Sequence, residues 1–141
     1  VKKASLAIAA LAVSALGSSA AFALSSEDFS VVGQTAVLQG LDKVTARVTE
    51  LQVPVGGTGT FGSLLVTVRD CRKTPPTEEP ESAAFLEIDD DPPDAAATRV
   101  FSGWMFASSP GLSALEHPVY DVWLLDCSTA SSSSEEGAPA N

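Results

Sequence analysis

Apolar side chains follow two spacings in this chain. From Ala4 to Leu16 they run together, broken only by Ser5 and Ser14. Further on they recur at every second position. Val44, Ala46 and Val48 alternate with Thr45, Arg47 and Thr49, the spacing of a half-buried strand. Leu51 and Val53 continue the alternation out of phase, which predicts a bulge near Glu50. Pro54 and Gly56-Gly57-Thr58-Gly59 close that strand in a turn. Phe61 to Arg72 predicts the next strand, with Leu64, Val66 and Val68 on one face and Leu65, Thr67, Arg69 and Cys71 on the other. Thr74 to Pro80 reads as a stiff acidic connector, because proline cannot donate to a ladder. Ala83 to Ile88 predicts a short strand, Asp89 to Ala97 an acidic hairpin or loop, and Arg99 to Phe106 a strand rich in aromatic rings. Ser108 to Leu115 predicts one helical turn, with Ser109 as N-cap and Pro110 at the first helical position. After His117-Pro118, Val119 to Cys127 predicts a last strand, apolar on both faces and hence central or sandwiched. The expected fold is all-β: a small antiparallel β-sandwich or partly closed barrel with one short helical turn.

The ends differ from this middle. Lys2 and Lys3 precede the unbroken apolar run, and Ala21-Phe22-Ala23 places small residues before Leu24. That is the pattern of a cleavable signal peptide over residues 1–23. The run is too short for a spanning helix, which needs about 20 residues, and no cysteine follows it to carry a lipid anchor. Residues 24–35 read as a flexible lead-in and 36–128 as the β domain. Residues 129–141, with consecutive serines, two glutamates and no large apolar group, read as a disordered acidic tail. The formal charge is −10, and loss of the two lysines with the signal lowers it to −12. Such a surface disfavours nucleic acid and anionic lipid as partners.

An exported chain changes the meaning of its cysteines. Cys71 and Cys127, 56 positions apart, read as a disulfide. In the chain-entropy picture such a loop restrains the unfolded state by about 4 kcal/mol. Free thiols or a metal pair are the alternatives, and a single histidine speaks against zinc. The spacing is not Cys-x-x-Cys, so the pair reads as a staple between two strand ends rather than a redox couple.

Four other groups invite a chemical reading. His117 is the one histidine, with Glu116, Asp121, Asp126 and several serines near it in sequence. A Ser-His-Asp hydrolase is conceivable, but Gly-x-Ser-x-Gly is absent, and His117 reads as a turn residue. Asp89, Asp90, Asp91 and Asp94 lack calcium-loop spacing and hold Pro92-Pro93 among them, so they read as a solvated loop. Arg69, Arg72 and Lys73 form a basic cluster, either guarding a sheet edge or receiving a carboxylate or phosphate. Phe101, Trp104, Phe106 and Trp123 are expected in the core, with a partner-binding patch as the second reading. The residues nominated for binding are Trp104, Phe106, Arg69 and Lys73; none is nominated as catalytic or metal-ligating.

Several segments carry a family resemblance: Leu38 to Arg47, Cys71-Arg72-Lys73 with its prolines, Ser82 to Leu86, Phe101 to Pro110, and Leu115 to Trp123. Together they resemble exported alphaproteobacterial proteins catalogued only as domain of unknown function 2155. The resemblance implies a periplasmic home and no assigned reaction, ligand or catalytic residue. The expected function is a non-catalytic periplasmic domain that binds or scaffolds a protein or envelope component, without cofactor and without a membrane span once the signal is removed. A cell-envelope hydrolase using His117 and a small inhibitor of a secreted enzyme are the alternatives.

Overall fold

A computed structural model describes residues 29–129. The signal segment, the first part of the lead-in and nearly all of the tail lie outside them. Among the described residues the chain forms β1 (Val31–Val32), β2 (Thr35–Asp42), β3 (Arg47–Pro54), β4 (Thr58–Phe61), β5 (Leu64–Lys73), β6 (Ser82–Asp90), β7 (Thr98–Phe106) and β8 (Tyr120–Ser128). They make two antiparallel sheets that do not close into a barrel. The larger runs β5-β6-β7, with β1 and β4 both pairing with β5; the smaller runs β3-β2-β8. The chain crosses between sheets after β1, after β3 and again after β7.

No helix forms among the described residues. The segment expected to make a helical turn holds one turn bond, Leu112 N–H to the Ser109 carbonyl at 3.0 Å. Gly111 disfavours helix there, and Leu115 is buried in the core while Leu112, one turn before it, stays 75% exposed, so the two form no buried helical stripe.

The start of the domain also differs from expectation. Residues 31–32 and 35 belong to strands, and β2, not singled out by alternation, is the middle strand of its sheet. Val44 and Ala46 are not in a strand. Asp42 Oδ1 accepts the N–H groups of Val44 (2.9 Å) and Thr45 (3.1 Å), and Ala46 takes φ +54°. This is an Asx-type turn, and it leaves Val44 77% exposed. The strand then begins at Arg47, so Leu51 and Val53 fall in phase with it. The β2–β3 register runs unbroken and no bulge is needed near Glu50. Phe61 to Arg72 is likewise two strands, folded back at Gly62-Ser63, where Gly62 takes φ +59°.

The core is aliphatic: Leu38, Val53, Leu64, Val66, Val68, Leu86, Ile88, Val122 and Leu124 are almost fully buried between the sheets. Two bulges bring the cysteines into it. β5 gains an extra residue at Arg69 and β8 one at Leu125, each shifting the pairing by one. Plain alternation puts Cys71 opposite Val68 and Cys127 opposite Leu124; one inserted residue flips each thiol to the core face. Both are fully buried and bonded to each other, with Cα atoms 5.7 Å apart. The staple therefore joins the two sheets. Gly33 lies against it and donates its N–H to the Cys71 carbonyl at 2.8 Å.

Candidate functional site

A filled aliphatic core leaves the large rings elsewhere. Phe101 packs against the core from β7. Trp104 and Phe106, at alternate positions from buried Met105, stand on the outer face of the larger sheet, so the expectation of an aromatic core is corrected. Trp123 is half-buried on the outer face of the smaller sheet, between inward Val122 and Leu124. Trp104 remains 38% exposed and meets Phe85 edge-on, centroids 5.6 Å apart. Phe106 is covered in part by Phe29, at 6.4 Å.

Beside the Trp104–Phe85 pair runs a row of charges. Arg69, the extra residue of its bulge, faces outward and holds Glu87 at 2.7 Å. Arg99 reaches Glu87 at 3.3 Å and Asp89 at 2.5 Å. Strand pairing sets this row: Phe85 lies opposite Trp104 and Asp89 opposite Arg99. The hydrogen bond from Arg69 leads, and with the charges of Arg69 and Arg99 it holds Glu87 below the usual carboxylate range against the opposing effect of burial. The bond to Asp89 raises Arg99. Two guanidinium groups balance two carboxylates, so this face is locally neutral in a strongly acidic chain.

The basic cluster does not act as one. Arg72 turns to Asp70 at 2.9 Å, and Lys73 to Asp126 at 2.9 Å, away from Arg69. Asp126 Oδ1 also accepts from the Ser82 hydroxyl (2.8 Å) and from Cys127 N–H (2.7 Å). Partial burial works to raise Asp126, but the bonds from Lys73, Ser82 and the backbone outweigh it and lower its pKa.

His117 is buried to within 8% and fully engaged. Its Nδ1 accepts the N–H groups of Val119 (3.2 Å) and Tyr120 (3.1 Å), so the ring proton sits on Nε2 and is donated to Asp90 Oδ2 at 3.1 Å. Ser63 donates to the other oxygen of Asp90 at 2.5 Å. These two bonds, the serine's first, depress Asp90. The order is Ser63–Asp90–His117, with the serine on the carboxylate and none on the imidazole. Nucleophilic catalysis needs the hydroxyl against the base, and here the ring instead clamps the chain into β8. Tyr120 stacks on it at 5.3 Å and meets Phe61 at 5.4 Å.

The acidic loop is divided in the same way. Asp89 turns to Arg99 and Asp90 to His117, while Asp91 and Asp94 are exposed. Among the described residues no three of His, Cys, Asp and Glu are disposed to hold a metal ion. Alternation alone had a signal for the outer face: Phe85, Glu87 and Asp89 share one parity on β6, opposite to Ala84, Leu86 and Ile88. The partners Arg99 and Trp104 needed the register.

Two antiparallel sheets around an aliphatic core, joined by a buried disulfide, define a small stapled all-β domain. The chain belongs to the family described as an uncharacterized protein conserved in bacteria, DUF2155, whose match covers residues 36–127, from the inner side of β2 to the second cysteine. It is similar to an uncharacterized protein, RP359, of the alphaproteobacterium Rickettsia prowazekii (strain Madrid E), at 31% identity over 87 residues. That match takes in 62% of this chain and 56% of the relative, so the chain spans little more than half of the relative's length. No solved structure matches.

Proposed function

We propose that this is a non-catalytic binding domain of the periplasm, exported with a cleavable signal at residues 1–23, that meets a protein or envelope component through the outer face of its larger sheet. The observation that carries this reading is the position of Trp104. Its ring stands outside a core already filled by aliphatic groups, against Phe85, beside a charge-neutral row of planar ion pairs. Half-exposed aromatic area flanked by arginine is what interfaces are enriched in. Exposed ion pairs add only about 0–1 kcal/mol each to stability, so the row has little to do for the fold alone. Export is supported by the Lys2-Lys3 and apolar segment, and by a disulfide, which persists in oxidising compartments. A hydrolase using His117 finds no support in a ring whose two nitrogens are already bonded.

A photo-crosslinking residue at Ser102, exposed beside Trp104, tests the reading in living cells; the same residue at Val44, on the β2–β3 turn, is the control. The expected result is a defined crosslinked species from position 102, absent from position 44 and lost with Trp104→Ala. Equal crosslinking at both positions, or none at 102, would remove the proposal. An inhibitor of a secreted enzyme would use the same face, and the identity of the crosslinked partner separates the two.

A further inference from the structure

A concavity lies where β5, the β5–β6 connection, β8 and the segment after β7 meet. It is a cleft of about 720 Å³ and shares no lining residue with the Trp104 face. Ligand sites in proteins commonly fall between about 300 and 1,000 Å³. Val31, Pro75, Pro76, Pro80 and Leu125 give it apolar walls.

The wall formed by the connection is pre-shaped. Thr74 Oγ donates to the Glu79 carbonyl (2.8 Å) and accepts Glu81 N–H (3.0 Å), and Thr74 N–H reaches the Glu81 carbonyl at 3.0 Å. Glu81 in turn holds Ser108 through its N–H and hydroxyl. A wall braced in this way, with three fixed proline rings, loses little freedom when it is covered.

The polar groups have a direction. Glu78, Glu81 and Asp126 outnumber the one base in the lining, Lys73. Asp126 is used unevenly: Oδ1 accepts three bonds, from Lys73, Ser82 and Cys127, while Oδ2 accepts only a longer one from Lys73, at 3.3 Å. Half of that side chain is exposed. Among the described residues the Glu78 carboxylate makes no hydrogen bond, so two oxygen sites at this cleft remain open. Apolar walls with open carboxylate oxygens suit a long stem ending in a positive charge.

We infer that this cleft receives a lysine or arginine side chain of a partner polypeptide, its stem against the prolines and Leu125 and its cationic head on Asp126 Oδ2 and Glu78. Charge decides against the chain's own occupants. Its C-terminal segment carries Glu135 and Glu136, and a second copy brings a further net charge of −10.

The probe is acetyl-Leu-Lys-Leu-amide, titrated into the ¹⁵N-labelled full chain and followed at the amides of Thr74, Ser82 and Asp126. The lysine peptide is expected to shift them saturably. Its norleucine counterpart should bind about fivefold more weakly or worse, the loss of one charge-assisted contact. Asp126→Asn is expected to weaken the lysine peptide by a similar factor. Because Asp126 also braces Ser82 and Cys127, exposed Glu78→Lys supplies the variant that keeps the fold; with its thermal midpoint unchanged, it too should weaken binding about fivefold. Equal binding of the two peptides, or unchanged affinity in Glu78→Lys, overturns the inference. A nitroxide on Ser133→Cys that broadens these amides without peptide would overturn it in favour of the chain's own tail. Shifts that grow with protein concentration alone would do so in favour of a second copy.

Discussion

Single side chains at the staple and at the β8 clamp have sharply defined surroundings. A methyl group on Gly33 would stand 2.8 Å from Cys127 Cβ and 3.2 Å from the Cys71 carbonyl oxygen. The backbone cannot retreat, because Gly33 N–H is bonded to that same oxygen. Gly33→Ala is therefore expected to cost about 1–3 kcal/mol, the range for overpacking. Gly111→Ala, where the added carbon meets nothing within 4 Å, should leave urea stability nearly unchanged. If the two variants unfold at the same urea concentration, the tight seat at the disulfide is wrong. His117→Ala removes the acceptor for two backbone N–H groups and the donor to Asp90 at once. The expected loss is about 2–4 kcal/mol. A loss under about 0.5 kcal/mol, the size of an ordinary surface change, would show that the ring clamps nothing.

Among the strands, the division between aliphatic core and outer-face rings sets unequal costs. Leu86→Ala, from the middle of β6, opens a cavity between the sheets and should cost about 2–5 kcal/mol. Trp104→Ala removes a larger side chain, yet its main loss is the edge contact with Phe85, worth about 0.5–1.5 kcal/mol beyond area. Paired denaturation curves should rank Leu86→Ala as clearly the more damaging; the reverse order would return Trp104 to the core. The sequence located β5 to β8 to within a few residues, because these strands are dense in apolar, β-branched and aromatic groups and are bounded by proline, glycine and aspartate. Alternation lost β2, where Gly40 occupies an inward position and carries no apolar signal. It extended β3 backwards through Val44 because an Asx turn leaves the apolar spacing untouched. The bulges at Arg69 and Leu125 were invisible for a different reason. Each inserts one residue into a run that still reads as strand, and only pairing with the neighbour shows which residue is extra. The candidate face was half legible for that reason: Trp104, Phe106 and Arg69 were nominated, while Lys73, nominated with them, faces Asp126 in the cleft.

For the folded domain taken together, the staple and the carboxylates set its limits. Closing a loop of 56 residues is worth about 4 kcal/mol in the entropic account, set against a net stability typically of about 5–15 kcal/mol. Cys71→Ala/Cys127→Ala should therefore lower the urea midpoint steeply, as should reduction of the native protein; an unchanged midpoint would mean that the bridge restrains nothing. The acid limit follows from Asp90 and Asp126, both held below the usual carboxylate range, Asp90 first by Ser63 and then by His117, Asp126 by Lys73 and Ser82 against its partial burial. A group whose pKa is lower in the folded than in the unfolded chain binds fewer protons when folded. Its contribution is complete above the unfolded value, roughly 4, and drains away as pH falls through the lower folded one. The contribution of these two carboxylates is thus expected to be level from neutral pH down to about 5 and to fall below it. Asp90→Asn keeps one oxygen to accept from His117, turns an amide N–H toward Ser63, whose hydroxyl can accept it, and cannot titrate. It should start less stable at pH 7 and lose less between about pH 5 and 3 than the parent chain does. Urea midpoints measured at each pH decide the matter, since parallel curves for the two proteins would show that Asp90 is not among the groups whose protonation unfolds the domain.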